Sequence, residues 1–200
     1  MKHLQSFNGL INSDSLRESL KSEELYDIIP ESIKDIQKLF KKEGKKLYLV
    51  GGSVRDFIIG VSPKDFDLAT DALPDEVMLI LKGYRRQIHG KSFGVVVVFT
   101  DDQPDGIEIA TFRSDNYDCK LGITRNPDVI LSTDIEEDVK RRDIRINGLF
   151  YDLDKKEIID LIGGILDIKN GVIGMIGDPE LRIKEDPLRI LRAIRMACRF

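Results

Sequence analysis

Leu47-Tyr48-Leu49-Val50-Gly51-Gly52-Ser53-Val54-Arg55-Asp56-Phe57-Ile58-Ile59-Gly60 is the stretch whose reading decides the fold. Leu47 to Val50 is a short apolar strand. Gly51-Gly52-Ser53 turns the chain, and Val54 to Ile59 starts a helix that stops at Gly60. Two glycines let backbone approach a ligand closely, and a helix start offers unpaired N–H groups to an anion. Arg55 on the first turn adds a charge-assisted bond to a phosphate. The stretch is neither G-x-x-x-x-G-K-[ST] nor G-x-G-x-x-G, and alone a Gly-Gly before a helix is more often just a turn.

The acids that follow change its weight. Lys64-Asp65-Phe66-Asp67-Leu68 begins 12 residues after Gly52, inside an alternating strand expected over Asp65 to Thr70. Residues two apart on a strand share a face, so Asp65 and Asp67 project side by side. Neighbouring carboxylates repel, and a divalent cation relieves the repulsion. Oxygen donors without a nearby His or Cys cluster favour Mg²⁺ or Mn²⁺ over zinc. The plain alternative is a solvated strand end. A phosphate cradle close to a metal pair suits a nucleoside triphosphate.

Outward from this centre, Glu31 to Lys42 carries apolar residues at 33, 36, 39 and 40, the spacing of a helix ended by Gly44. Pro74, Asp75 and Glu76 open a helix through Leu81. Gly94 to Thr100 and Ile107 to Phe112 form an antiparallel hairpin, with Glu108 between Ile107 and Ile109 as a third acid. Ser114 to Thr133 is expected to be an irregular loop. Asp134 to Leu149 is expected to be one helix with a basic centre. A second hairpin turns about Asp154-Lys155-Lys156, and Gly163-Gly164 and Asn170-Gly171 mark turns. Glu185 to the end forms one amphipathic helix, with Ile190, Leu191, Ile194 and Cys198 on its buried face and Asp186, Arg189 and Arg192 opposite.

Composition bounds the rest. A chain of 200 residues at 42% hydrophobic suits one compact domain, or one and the start of another. With 31 Lys+Arg against 35 Asp+Glu, the net charge of −4 argues against a protein that coats nucleic acid by bulk positive charge and leaves room for local basic patches. No apolar run approaches the ~18 residues of a membrane span, so no membrane partner is expected. Asn8, Asn12, Ser13 and Asp14 interrupt any signal-like segment at the N-terminus. Two distant cysteines, Cys119 and Cys198, exclude a disulfide scaffold and a zinc ribbon and fit a reducing, cytoplasmic setting.

Five motifs in order resemble the class II CCA tRNA nucleotidyltransferase and bacterial poly(A) polymerase family, within the polymerase-beta-type nucleotidyltransferases. They are Leu49 to Asp56 with Asp65 to Thr70, then Glu108-Ile109-Ala110-Thr111-Phe112-Arg113. Next come Arg141-Arg142-Asp143 through Asn147-Gly148-Leu149, then Asp160-Leu161-Ile162-Gly163-Gly164 with Asp167. The last is Glu185-Asp186-Pro187-Leu188-Arg189-Ile190-Leu191-Arg192-Ala193.

The resemblance implies an α/β (α+β) fold: a mixed five-stranded nucleotidyltransferase sheet flanked by helices, followed by a helical neck. It divides the chain into a polar leader (1–30), a catalytic head (31–165) and the start of the neck with a base-selecting helix (166–200), with body and tail absent from this chain. It implies Mg²⁺ (or Mn²⁺) held by Asp65 and Asp67, with Glu108 completing the catalytic acids. Gly51, Gly52, Ser53 and Arg55 would hold the triphosphate. Arg142, Asp143 and Asn147 would meet sugar and phosphates. Asp186 and Arg189 would pair with the incoming base, supported by Arg192 and Arg195. CTP and ATP would be joined to an RNA, a tRNA 3′ end, with pyrophosphate released. Ile88-His89-Gly90-Lys91-Ser92-Phe93-Gly94 resembles the CCA-adding type, whereas the 114–133 segment departs from the family's usual compact pattern. CC-addition, poly(A) synthesis, and a nucleotide-binding head that needs a separate helical partner remain the alternatives.

Overall fold

The computed structural model describes residues 22–89, 93–117 and 127–200. The leader up to residue 21, Cys119 and the middle of the 114–133 segment lie outside the described residues. In chain order the elements are α1 (Ser22–Ile28), α2 (Glu31–Lys42), β1 (Leu47–Val50), α3 (Gly52–Ile58), β2 (Asp67–Thr70), α4 (Pro74–Ile80), β3 (Arg85–His89), β4 (Val95–Phe99) and β5 (Ile107–Thr111). There follow β6 (Arg113–Asn116), β7 (Asp128–Leu131), α5 (Ile135–Arg141), a 3₁₀ turn (Arg145–Asn147), β8 (Phe150–Asp152), β9 (Glu157–Ile159), α6 (Gly164–Asn170), α7 (Pro179–Glu185) and α8 (Leu188–Arg199).

The main sheet is mixed, as expected, with order β3-β4-β5-β2-β1-β8-β9. It has seven strands among the described residues rather than five. The polar stretch Arg85–His89 adds an edge by pairing with β4, and β9 adds the other by closing the hairpin with β8. The parallel pair is β2 with β5, in register Leu68↔Ile109. No described helix is long and apolar enough to cross a membrane.

Alternation along β1 divides the core. Leu47 and Leu49 join the large cluster with Ile33, Ile36, Phe40, Val54 and Ile58. Tyr48 and Val50 join a smaller cluster on the other face with Ala69, Phe112, Val139 and Phe150. The rings of Tyr48, Phe112 and Phe150 meet at 5.7 to 6.2 Å. α2 covers the larger face with the expected apolar stripe, burying Ile33, Ile36 and Phe40. The smaller face is only partly covered, and its open part carries the acids.

Several expectations are corrected. β2 starts at Asp67, so Asp65 precedes the strand. Its neighbour β1 ends at Val50, the register partner of Asp67, and the chain then turns away at Gly51. The expected helix over 134–149 ends at Arg141, because the chain leaves it to let Ile144 bridge Met175. The expected loop 114–133 is paired at both ends, with Arg113↔Leu131 and Asn116↔Asp128 in register. Gly163-Gly164 and Asn170-Gly171 are the two ends of a helix, α6, rather than separate turns. The Asp160 carboxylate caps its start by accepting from four successive backbone N–H groups, Ile162 to Ile165.

The C-terminal helix, α8, starts at Leu188 rather than Glu185: Glu185 ends a separate helix, α7, and Asp186-Pro187 parts the two, since proline cannot continue the hydrogen-bond ladder. Its faces are reversed. Arg189 and Met196 are buried, whereas Ile190, Leu191, Ile194 and Cys198 are exposed. The arginines turn inward to acceptors: Arg189 to Glu185 and the Arg182 carbonyl on α7, Arg192 to Asp143 and Asp186, and Arg199 to Asp56.

Candidate functional site

An open cleft of about 740 Å³ lies between the bare part of the sheet face, α5 and the inner face of α8. Nine cationic side chains and five carboxylates line it, in a chain whose net charge is −4, so positive charge is concentrated here. Gly51, Gly52, Ser53, Arg55, Asp65, Asp67, Arg142, Asp143, Asn147, Arg189, Arg192 and Arg195 all reach it. Glu108 and Asp186 are not among its lining residues.

β-sheet register brings Glu108 to Asp67. Leu68 pairs Ile109 in parallel register, so the preceding residues, Asp67 and Glu108, are neighbours on the same face. Asp67 is exposed at the cleft floor, yet protein crowds its carboxyl enough to disturb its titration. Its pKa is raised, first by desolvation, then by the charges of Glu108 and Asp65, with Arg142 opposing. This is the charge balance that a divalent cation relieves. Asp65 and Asp67 offer hard oxygen donors, which fits such an ion. Among the described residues no group of three or more acidic, His or Cys side chains is placed to hold a metal ion.

Gly51 has φ 70° and ψ −122°, which L side chains rarely adopt, so a glycine is needed at this junction. A methyl group there would stand 3.7 Å from Nη1 of Arg142. Ser53 is buried and donates its hydroxyl back to the Val50 carbonyl at 3.2 Å. Arg55 is buried at 4% exposure and engaged with protein. It donates to Asp56 at 2.9 and 2.6 Å, to the Asn147 side-chain oxygen and to Met196 Sδ at 3.6 Å, and lies 5.0 Å from the Phe200 ring centre. Asp56 in turn accepts from Arg199 at 2.9 Å, which ties α3 to α8.

Arg142 donates Nε and Nη2 to Asp138 at 3.0 and 2.9 Å, and its guanidinium lies 4.7 Å from the Phe150 ring centre. Asp143 is held by Arg192, which also donates to Asp186 at 2.8 Å. Asp186 and Arg189, three apart in sequence, therefore form no side-chain pair. Asp186 takes Arg192, and Arg189 donates to Glu185, to the Arg182 carbonyl at 2.8 Å and to the Tyr117 hydroxyl at 3.2 Å. Pro187 puts Asp186 outside α8, so the three-residue spacing is not a helical spacing. Arg195 is exposed at the cleft wall.

Reading the sequence missed Asp138, Arg113, Tyr117 and Phe93. Asp138 had a visible signal, lying three and four residues before Arg141 and Arg142. Arg113, bonded to Asp115 at 3.1 Å and stacked on Phe93, closes the Glu108–Arg113 motif but was given no role there, and Tyr117, stacked on Arg189, had no signal. Distant segments bring them to the cleft. Chemically, the arrangement can attract a polyanion, hold a divalent cation over paired carboxylates and present arginines beside both.

The family model described as the Poly A polymerase head domain matches residues 47–174. Poly(A) polymerase I of Salmonella typhi is 40% identical over 181 residues, covering 86% of this chain and 38% of that protein. The CCA-adding enzyme of Ligilactobacillus salivarius is 40% identical over 171 residues, covering 84% of this chain and 40% of that enzyme. Among solved structures, the Bacillus stearothermophilus CCA-adding enzyme in complex with CTP aligns with a TM-score of 0.69 at 35% identity, over 81% of this chain and 37% of that one. The chain thus spans about two-fifths of the length of the curated relatives it matches.

Proposed function

Because this chain belongs to the poly A polymerase head domain family, which includes nucleotide-transferring relatives of both the poly(A) and the CCA-adding kind, we propose that it is the catalytic head of a template-independent RNA 3′-end nucleotidyltransferase. It adds CMP, AMP or both from CTP and ATP to a tRNA end and releases pyrophosphate. The observation that carries this reading is the Asp67–Glu108 neighbourhood, with Asp65 beside it, at the floor of an arginine-lined cleft.

In this reading residues 31–165 form the head and 166–200 the beginning of the neck. Asp65 and Asp67 hold Mg²⁺, with Mn²⁺ as a substitute. The ion supplies neutralisation of the reacting phosphates and a lowered pKa for the RNA 3′-hydroxyl. Glu108 adds negative charge beside Asp67 and completes the acid set. Arg142 and Arg195 receive the triphosphate, and Gly51 and Gly52 let it approach the backbone. Arg55 and Ser53 contribute by shaping the junction, since their polar atoms are bonded to protein. Asn147, its amide oxygen held by Arg55, offers its amide nitrogen to the sugar, and Asp143 lies beside it. Rate enhancement comes from positioning and fixed charge. Asp186 and Arg189 read the base, for which Asp186 exchanges Arg192, and Arg189 exchanges Glu185, for the base edge.

A second reading, a nucleotide-binding head that works with a separate helical partner, is favoured by one observation: the apolar stripe of α8, with Leu191 61% and Ile194 53% exposed. Purified chain with Mg²⁺ and a tRNA lacking its terminal nucleotides, offered labelled CTP, ATP, UTP and GTP one at a time, tests both. Extension with CTP or ATP, abolished by Asp65→Ala with Asp67→Ala, is the expected outcome. Nucleotide binding with extension only after a helical partner is supplied selects the second reading. Neither binding nor extension overturns both.

A further inference from the structure

Asp138 is a fully buried carboxylate behind the cleft: it does not line the cleft, but both arginines it holds do. It sits on α5 and meets two neighbouring cations. One oxygen accepts from Arg141 Nε at 2.7 Å, and the other accepts from Arg142 Nε and Nη2 at 3.0 and 2.9 Å. The backbone N–H of Arg113 approaches the first oxygen at 3.4 Å, so α5 is also tied to the start of β6. Enclosing a charge is costly, and apolar residues often fill such a position with no loss of stability. Stability alone therefore does not account for an acid here.

The geometry of Arg142 does. Asp138 holds one edge of the guanidinium, and the Phe150 ring, 4.7 Å away, holds its face. Those two contacts fix both the plane and the rotation of the group. They engage Nε and Nη2, and Nη1 is the nitrogen beside Gly51, where backbone turns into the cleft. One carboxylate between two guanidiniums also leaves one unit of positive charge uncompensated within the trio. A guanidinium aimed in advance loses little freedom when it meets a phosphate.

We propose that Asp138 is a positioning residue, which aims Arg142, with Arg141 beside it, at the phosphates of the incoming nucleotide. The inference rests on the nucleotidyltransferase reading above and adds to it the group that pre-sets the phosphate contact. Asp138 touches no substrate and acts only through its arginines.

The test is a double-mutant cycle on the whole chain. Binding of Mg–CTP and Mg–ATP is measured by calorimetry and the nucleotide KM by incorporation, alongside melting temperature. Asp138→Asn, which keeps the side chain's shape, is expected to weaken binding and raise KM by roughly 10-fold, the scale of outer-shell changes at charged sites. Arg142→Lys keeps the charge but loses the fork that Asp138 grips, and is expected to lose about as much. In the double variant the two losses do not multiply, because both remove one interaction. A merely structural Asp138 lowers the melting temperature and leaves nucleotide affinity of the folded fraction unchanged, and that result overturns the proposal. Losses that multiply overturn it too. Should Asp138→Asn fail to fold, Arg142→Lys decides alone: unchanged affinity overturns the proposal. Failure of the unaltered chain to bind either nucleotide removes the nucleotidyltransferase reading and the proposal with it, whereas binding that ignores both substitutions removes only the proposal.

Discussion

Asp67 and Glu108 are cross-strand neighbours on the one parallel pair of the described sheet, one residue before Leu68 and Ile109. They are separated by 41 positions in sequence but share a face. Desolvation, and after it the charges of Glu108 and Asp65, raises the pKa of Asp67 against the opposing Arg142.

The sign of that shift sets the first prediction. A carboxyl with a raised folded pKa binds its proton more tightly in the native state. In metal-free protein, stability therefore falls as pH rises from the ordinary aspartate value, about 3.9, through the raised native value. Asp67→Asn removes this penalty, so above that window the variant melts no lower than the parent. Mg²⁺ is expected to raise the parent's melting temperature and leave the variant's unchanged. Incorporation by the variant falls by more than the roughly 100-fold limit of outer-shell changes. A variant that Mg²⁺ stabilises as well as the parent would contradict the assignment.

Asp138 moves the other way. Burial raises its pKa, but Arg142 and then Arg141 outweigh burial, and the net shift is downward. Its stabilising contribution is fully present above about pH 3.9 and is lost as pH falls through the lowered native value. Asp138→Ala leaves two guanidiniums without their partner and costs about 3 to 5 kcal/mol near neutral pH, by urea titration. The cost shrinks in acid, where the parent carboxylate is protonated as well.

Leu191→Asp and Arg189→Ala test the reversed face of α8. Leu191 is 61% exposed and Arg189 2%. The leucine change is expected to alter the stability of this chain by no more than about 0.5 kcal/mol. The arginine change removes bonds to Glu185, the Arg182 carbonyl and Tyr117, and costs about 2 to 3 kcal/mol. The opposite ranking in denaturant titrations would restore the face expected from the helical wheel.

Gly174→Ala tests a steric requirement outside the cleft. A methyl group at Gly174 would overlap Arg145 Nε and Nη2 and Asp167 Oδ2. Those side chains pair by charge at 2.8 Å, without hydrogen-bond alignment. Displacing them is expected to cost about 1 to 3 kcal/mol, the range for overpacking, read as a lowered urea midpoint with unchanged slope.

Local pattern carried a good deal of this. The apolar spacing of Glu31 to Lys42 marks α2 to the residue, because one side of that helix meets core and the other water. The Leu47–Val50 strand, the Gly51 turn and the 95–111 hairpin were legible for the same reason: each is decided by residues close together in the chain. α5 was misread where tertiary pairing overrode local preference, whereas α6 was missed although its Asp160 cap is local. Ile144 leaves a helical pattern to bridge Met175, and Arg182 donates to the Arg141 and Arg142 carbonyls that end α5.

By itself the sequence determined which groups exist to do chemistry and in what order: paired aspartates, a glycine junction, clustered arginines. Those are properties of neighbours along the chain. Only the tertiary structure decided partnership: Glu108 beside Asp67, Arg55 turned to Asp56 and Asn147, Asp186 given to Arg192 rather than Arg189, the arginine face of α8 turned inward. A charge is satisfied by whatever the fold brings within a few ångströms, and a periodicity cannot say which side of a helix meets carboxylates rather than oil.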